Sequence, residues 1–206
     1  MVEKNLSLPY TFVCLTENTN GLNSNIQVMN LPNLQTSGWW YKLSMFNDLG
    51  ISGTALFMDL DVVIYRNIDK FFEFSPGDFC IIRDFNRCNI PKIQKMNSSV
   101  FRLELNSLQH VYRNYVSATQ VYNKRFRGDQ EFIENQVKNF SYWPDSWALS
   151  YKWEMHNRHS VKFDGKLYKF TDRLDPLDTD ETSIAVFHGT PNPHECTDPW
   201  VIQHWR

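Results

Sequence analysis

The chain has 206 residues, 42% of them hydrophobic and 21% charged, with a formal net charge of −2. That length suits one domain over residues 1–206, and the near-balanced charge gives no broad pull on nucleic acid or an anionic membrane. No apolar run approaches the ~20 residues of a membrane span, and residues 1–5 lack a signal peptide's apolar stretch.

Residues 10–15 read as a strand, and residues 26–29 as a short second one. Ser37 is placed to cap a helix whose apolar face is Trp39, Trp40, Leu43 and Phe46, ending near Gly50. Residues 55–58, Ala-Leu-Phe-Met, form an unbroken apolar run, which predicts a strand buried on both faces. Residues 67–72 read as a helical turn, 78–83 as a strand, 84–95 as a loop and 97–101 as a further short strand. Leu108, Val111, Tyr112, Tyr115 and Thr119 keep helical spacing across residues 104–122. The basic, aromatic segment 122–127 reads as a solvated helix end matched to the helix dipole. A second helix follows Gly128-Asp129-Gln130 and carries Phe132, Ile133 and Val137. Residues 140–153 are aromatic and irregular. Residues 161–170 predict a hairpin turning at Asp164-Gly165, residues 172–181 an acidic surface loop, and residues 183–187 a last strand. The tail from Pro199 onward is too aromatic to hang free and should dock. Strands alternate with helices, so the class is α/β.

Cys14, Cys80, Cys88 and Cys196 form no Cys-x-x-Cys pair, which fits reduced, mostly buried thiols in a cytoplasmic protein. His188, His194 and Cys196 are zinc-type ligands, but no fourth ligand stands at a matching spacing.

The chemistry centres on Asp59 and Asp61, which directly follow the apolar run. In an extended chain they point to the same side, where two carboxylates repel unless a cation lies between them. Hard oxygen ligands at a strand end select Mg²⁺ or Mn²⁺, often with a phosphate-bearing substrate. Asp-x-Asp is also a common turn pair, but a surface turn needs no buried lead-in. Three other polar clusters lie at strand ends or helix starts: Asn97-Ser98-Ser99, Asp129-Gln130 and His188-Gly189. If the strands are parallel neighbours, all four converge on one edge. A neutral His188 makes a suitable third ligand, and Gly189 lets the backbone approach closely. Singly, each has a plain structural reading: a bonded histidine, a turn asparagine, a helix-capping aspartate.

In that order, Leu56-Phe57-Met58-Asp59-Leu60-Asp61-Val62, Asn97-Ser98-Ser99-Val100, Gly128-Asp129-Gln130 and His188-Gly189-Thr190-Pro191-Asn192-Pro193 resemble the motifs of GT-A-fold glycosyltransferases. The likeness is to glycosyltransferase family 8, the glycogenin and lipopolysaccharide galactosyltransferase type. The resemblance implies a Rossmann-like three-layer fold with a mostly parallel central sheet. It implies that Asp59, Asp61 and His188 hold Mn²⁺ or Mg²⁺ on a nucleotide-sugar diphosphate. Asn97 and Ser98 would line the donor sugar, and Lys42 and Gly189 would also bind the donor. Asp129 and Gln130 would act at the reaction centre, and the acceptor would be a glycan or another molecule. Asn192 departs from the family's His-Gly-x-x-Lys-Pro and removes a cation from the diphosphate. Only residues 1–9 precede the strand at 10–15, and residues 2–5 read as the tail of the helix that follows the family's usual first strand. That first strand is therefore expected to be missing from the sequence.

Two rival readings use the same residues. In a haloacid dehalogenase-type phosphatase, Asp59 would be the nucleophile and Asp61 the acid/base, with Lys92 or Lys95 assisting. That reading needs paired acids at a later strand end, and Asp178-Thr179-Asp180 lies in a loop instead. The other rival is a truncated, inactive relative that binds sugar nucleotides without turning them over.

Overall fold

A computed structural model describes residues 1–88, 90–156, 160–163, 166–169 and 180–205. In chain order its helices and strands are α1 (Val2–Asn5), β1 (Val13–Leu15), β2 (Gln27–Met29), a 3-10 helix (Gly38–Phe46), β3 (Thr54–Met58), β4 (Val62–Ile64), α2 (Lys70–Glu73), β5 (Cys80–Arg83), β6 (Met96–Glu104), α3 (Gln109–Ser117), α4 (Thr119–Arg125), α5 (Asp129–Gln136), β7 (Ser141–Tyr142), β8 (Ala148–Ser150), a π-helical turn (Tyr151–Met155), β9 (Ser160–Phe163), β10 (Lys166–Lys169), β11 (Ile184–Val186) and α6 (Pro199–His204). They fall into two compact units. The first comprises Met1–Ser7, Thr54–Glu104 and Asn139–Arg206, and the second Leu8–Gly53 and Leu105–Lys138.

The first unit holds a four-stranded sheet in the order β3-β6-β5-β7 and a three-stranded sheet in the order β4-β11-β8. The α/β class is as expected, but the mostly parallel central sheet is met only in part. β6 runs against both β3 and β5, and β11 runs against β4, while β5/β7 and β11/β8 are parallel. The physical reason lies in residues 84–95. Asp84 N–H donates to Lys95 O (2.7 Å), so the loop closes on its own strand pair and returns the chain antiparallel.

Burial also differs from expectation. β3 is an edge strand and only half buried, whereas β4, one turn later, is buried throughout. The apolar run thus leads up to the fully buried strand. The core beneath includes Ile68, Phe71, Ile82, Phe85, Trp143 and Ile184. Arg102 lies within it, fully buried on β6, and donates to the carbonyls of Phe71 (3.0 Å), Phe72 (2.8 Å), Ser75 (2.6 Å) and Asp78 (3.2 Å). One side chain thereby satisfies the orphan carbonyls at the end of α2 and in the turn after it. The tail docks as expected: Val201 on α6 is fully buried and Trp200 meets Tyr65 edge-on at 5.2 Å. The aromatic stretch 140–153 is more regular than its sequence suggests, since it contains β7 and β8. Two- and three-residue strands are too short to show a period. β9 and β10 pair antiparallel, as a hairpin requires. Its turn at Asp164-Gly165 and most of the acidic loop lie outside the described residues.

In the second unit, β1 and β2 form a parallel pair. The helix expected after Ser37 is a 3-10 helix. With three residues per turn, Trp40, Leu43 and Phe46 share the buried face, and Trp39 turns out, 61% exposed. Trp40 stacks on Tyr115 (5.2 Å, 6°), and Phe132 meets both edge-on. The single helix expected over 104–122 is two, broken at Ala118 (φ −155°). At the break Ser117 Oγ donates to Asn114 O (2.7 Å) and Thr119 Oγ1 to Tyr115 O (3.3 Å), so hydroxyls take carbonyls near the helix end.

Candidate functional site

In the first unit the chain turns at residues 59–61, between β3 and β4, and the turn is pinned at both ends. Asp59 N–H donates to Ser99 O (2.8 Å), one step past the β3–β6 ladder. Phe187 N–H donates to Asp61 O (2.9 Å), one step past the β4–β11 ladder. Asp59 is thus level with the Asn97-Ser98-Ser99 stretch, and Asp61 with the residue before His188. The acids do not lie on one extended strand as expected: Leu60 and Asp61 form a turn, with Leu60 92% exposed. Register shifts between β5 and β6 at Ile81/Ile82, where Ile81 pairs with Phe101 and Ile82 with Asn97. Residues 98–100 are the extra ones, the kind of bulge that re-aims side chains beside a site. Asn97 Oδ1 accepts from Ser99 N–H (3.0 Å), and Ser98 is buried.

His188 follows β11 and is held on three sides. Its Nε2 lies 2.7 Å from Ser150 Oγ, its ring is parallel to Phe85 at 5.8 Å, and Trp153 meets it edge-on at 4.6 Å. Ser150 is fixed in turn. Its Oγ accepts from Trp153 N–H (3.1 Å), and its own N–H donates to Glu154 Oε2 (2.8 Å). Glu154 receives Arg87 Nε (3.0 Å) and Nη2 (3.2 Å), a two-point pair with both side chains buried. Burial pushes the Glu154 carboxyl upward, and Arg87 opposes it. Arg87 also donates to the carbonyls of Arg83 (2.7 Å) and Ala148 (2.6 Å). Sequence reasoning missed Ser150, Glu154 and Arg87. The one available signal was an acid in an aromatic run, and its partner lies 67 positions away.

Gly189 has φ +73°, and a Cβ built on it would stand 3.1 Å from Lys152 Nζ. Burial lowers the Lys152 pKa from the ordinary lysine value. Asn192 serves a turn: its N–H (2.8 Å) and Nδ2 (3.0 Å) both donate to Glu195 Oε2.

Among the described residues no three His, Cys, Asp or Glu side chains gather into one group able to hold a metal ion. This applies to His188, His194 and Cys196 as well, and Cys196 Sγ instead meets the Tyr151 hydroxyl at 3.0 Å. All four cysteines are free, with Cys80 and Cys196 buried, Cys14 half-buried and Cys88 exposed. Asp59, Asp61 and His188 suit Mn²⁺ or Mg²⁺ in kind, two carboxylates and an imidazole, but they too are not gathered into one group; the backbone brings Asp61 only as far as the residue before His188.

The second unit carries Lys42, Asp129 and Gln130. Lys42 projects from the 3-10 helix, and its Nζ lies 3.2 Å from Asp129 Oδ2, with side chains 8% and 7% exposed. Asp129 opens α5, where the N-terminal dipole also favours its charge. Gln130 follows, half-buried.

No protein-family model and no curated protein sequence matches the chain. Solved structures do. The glycosyltransferase GlyE of Streptococcus pneumoniae matches with a TM-score of 0.56 at 11% identity, over 82% of this chain and 42% of that one. An active-site mutant of LgtC matches with a TM-score of 0.56 at 13% identity, over 87% of this chain and 73% of that one. The chain thus spans less than half of GlyE and about three quarters of LgtC. At these identities the likeness establishes the fold: this chain folds as those proteins do. No helix among the described residues is long and apolar enough to cross a membrane.

Proposed function

We propose that the chain is a glycosyltransferase that moves a hexose from a nucleotide diphosphate sugar, a UDP-sugar being the first choice, to a glycan or other acceptor. Asp59, Asp61 and His188 would hold Mn²⁺ or Mg²⁺. The ion, when bound, stabilises the charge that develops on the departing diphosphate. Asn97 and Ser98 line the donor sugar, and Gly189 lets the backbone come close to the phosphates. By the family resemblance Lys42 would bind the donor, and Asp129 and Gln130 would act on the transferred sugar. The observation that carries this reading is the acid turn pinned between two ladders, level with Asn97-Ser98-Ser99 on one side and with the residue before His188 on the other. The fold likeness to GlyE and LgtC supports it.

The test is release of UDP from UDP-glucose, UDP-galactose and UDP-N-acetylglucosamine, with and without Mn²⁺. Slow, metal-dependent release from one of them is expected, since water can replace a missing acceptor. Binding without release would instead mark an inactive sugar-nucleotide-binding relative. Phosphate release from p-nitrophenyl phosphate, with none from the sugar nucleotides, would mark a phosphatase.

A further inference from the structure

Lys152 is a cation that no anion among the described residues meets. Among the described residues it has no carboxylate within ion-pair distance, no hydrogen bond and no aromatic ring beneath it. Its neighbours on the π-helical turn are engaged, and Met155 is fully buried. Tyr151 is buried against Phe187, Trp153 packs on His188, and Glu154 is taken by Arg87 and Ser150. The turn is therefore held in place while its one ammonium meets no anion among the described residues. That ammonium lies against Gly189, at φ +73°, where a Cβ would stand 3.1 Å away. Any other residue at 189 would be strained by its backbone and would crowd the lysine. Holding a half-desolvated ammonium beside bare backbone opposes its charge, and an incoming anion reverses that. Asn192, three residues on, is bonded to Glu195 and brings no positive charge.

We propose that Lys152 binds a diphosphate beside His188 and Gly189, supplying from the π-helical turn the cation that position 192 does not. This rests on the glycosyltransferase reading for the identity of the diphosphate, but not for the binding of one. The ammonium serves as a point charge that rotates to whichever phosphate oxygen comes closest.

The experiment is calorimetry of UDP and of inorganic pyrophosphate, with Mn²⁺ at fixed excess, on wild type and on Lys152→Met, Lys152→Gln and Lys152→Arg. Melting curves check that each variant is folded. Met and Gln should weaken both ligands by roughly tenfold or more, the worth of one charge-assisted contact. Arg keeps the charge and should stay within about threefold of wild type. Folded Met and Gln variants that bind UDP as wild type does would overturn the assignment, and so would a wild type that binds neither ligand. If wild type binds both in a Lys152-dependent way yet releases UDP from no sugar nucleotide, the glycosyltransferase reading fails and the Lys152 assignment stands.

Discussion

The ammonium of Lys42 meets the carboxylate of Asp129 with both side chains under a tenth exposed. Both charges are largely shielded from water, which strengthens their attraction. Lys42→Met takes the buried ammonium away from a buried carboxylate, and should cost about 3–5 kcal/mol in urea unfolding. Adding Asp129→Leu should recover much of that loss, because the pair then leaves together. A Lys42→Met variant within about 0.5 kcal/mol of wild type would show that the pair is not desolvated as described. Both residues were legible in the sequence, Lys42 by its place before the acid run and Asp129 by Gly128-Asp129-Gln130. Their pairing was not, since nothing local to either names the other. The same limit hid Ser150 and Lys152, two polar residues in a run whose other members are read for their rings.

Elements were legible where one period ruled and obscure where two competed. The Trp39–Phe46 stretch was read with a 3.6-residue period, which puts Trp39 on the buried face, and the observed period of three turns it out. The strand expected over residues 97–101 extends to Glu104, through an arginine that no apolar pattern would include. Arg102 is the buried staple between β6 and α2. Arg102→Met keeps the apolar stem but strands several carbonyls, and should cost about 3 kcal/mol, with faster amide exchange over residues 71–78. Exchange unchanged there would mean that water or another donor serves those carbonyls. The turn at Pro193–Glu195 carries a pH-dependent contact. The Asn192 backbone N–H, and then its side-chain amide, hold the Glu195 carboxyl below the usual glutamate range. An acid with a lowered folded pKa contributes fully above its unfolded pKa, and that contribution is lost as pH falls through the folded value. An NMR titration should place the Glu195 midpoint below the ordinary glutamate value, and Asn192→Ala should bring it part of the way back. A midpoint at the ordinary glutamate value would contradict the cap.

At the scale of the molecule, the order of the four short motifs carried the fold, although no sequence-level comparison does. The motifs lie where backbone geometry is most constrained: the acids at a turn between ladders, Asn97-Ser98-Ser99 at a bulge, and His188-Gly189 at a strand exit. Strand direction was less legible, because apolar runs reveal burial and not polarity, and β6 reverses through a loop that looks like any other. Asp59 and Asp61 can be changed without touching the core, since their turn lies outside β3 and β4. The measurement that tests the account most directly is therefore Mn²⁺-dependent UDP binding by calorimetry on wild type, Asp59→Asn and Asp61→Asn, with thermal melting as the check on folding. The account predicts that wild type binds UDP in the presence of Mn²⁺, and that each variant melts as wild type does but loses that binding by tenfold or more, as about one metal ligand's worth. Equal Mn²⁺-dependent binding in all three proteins would contradict it.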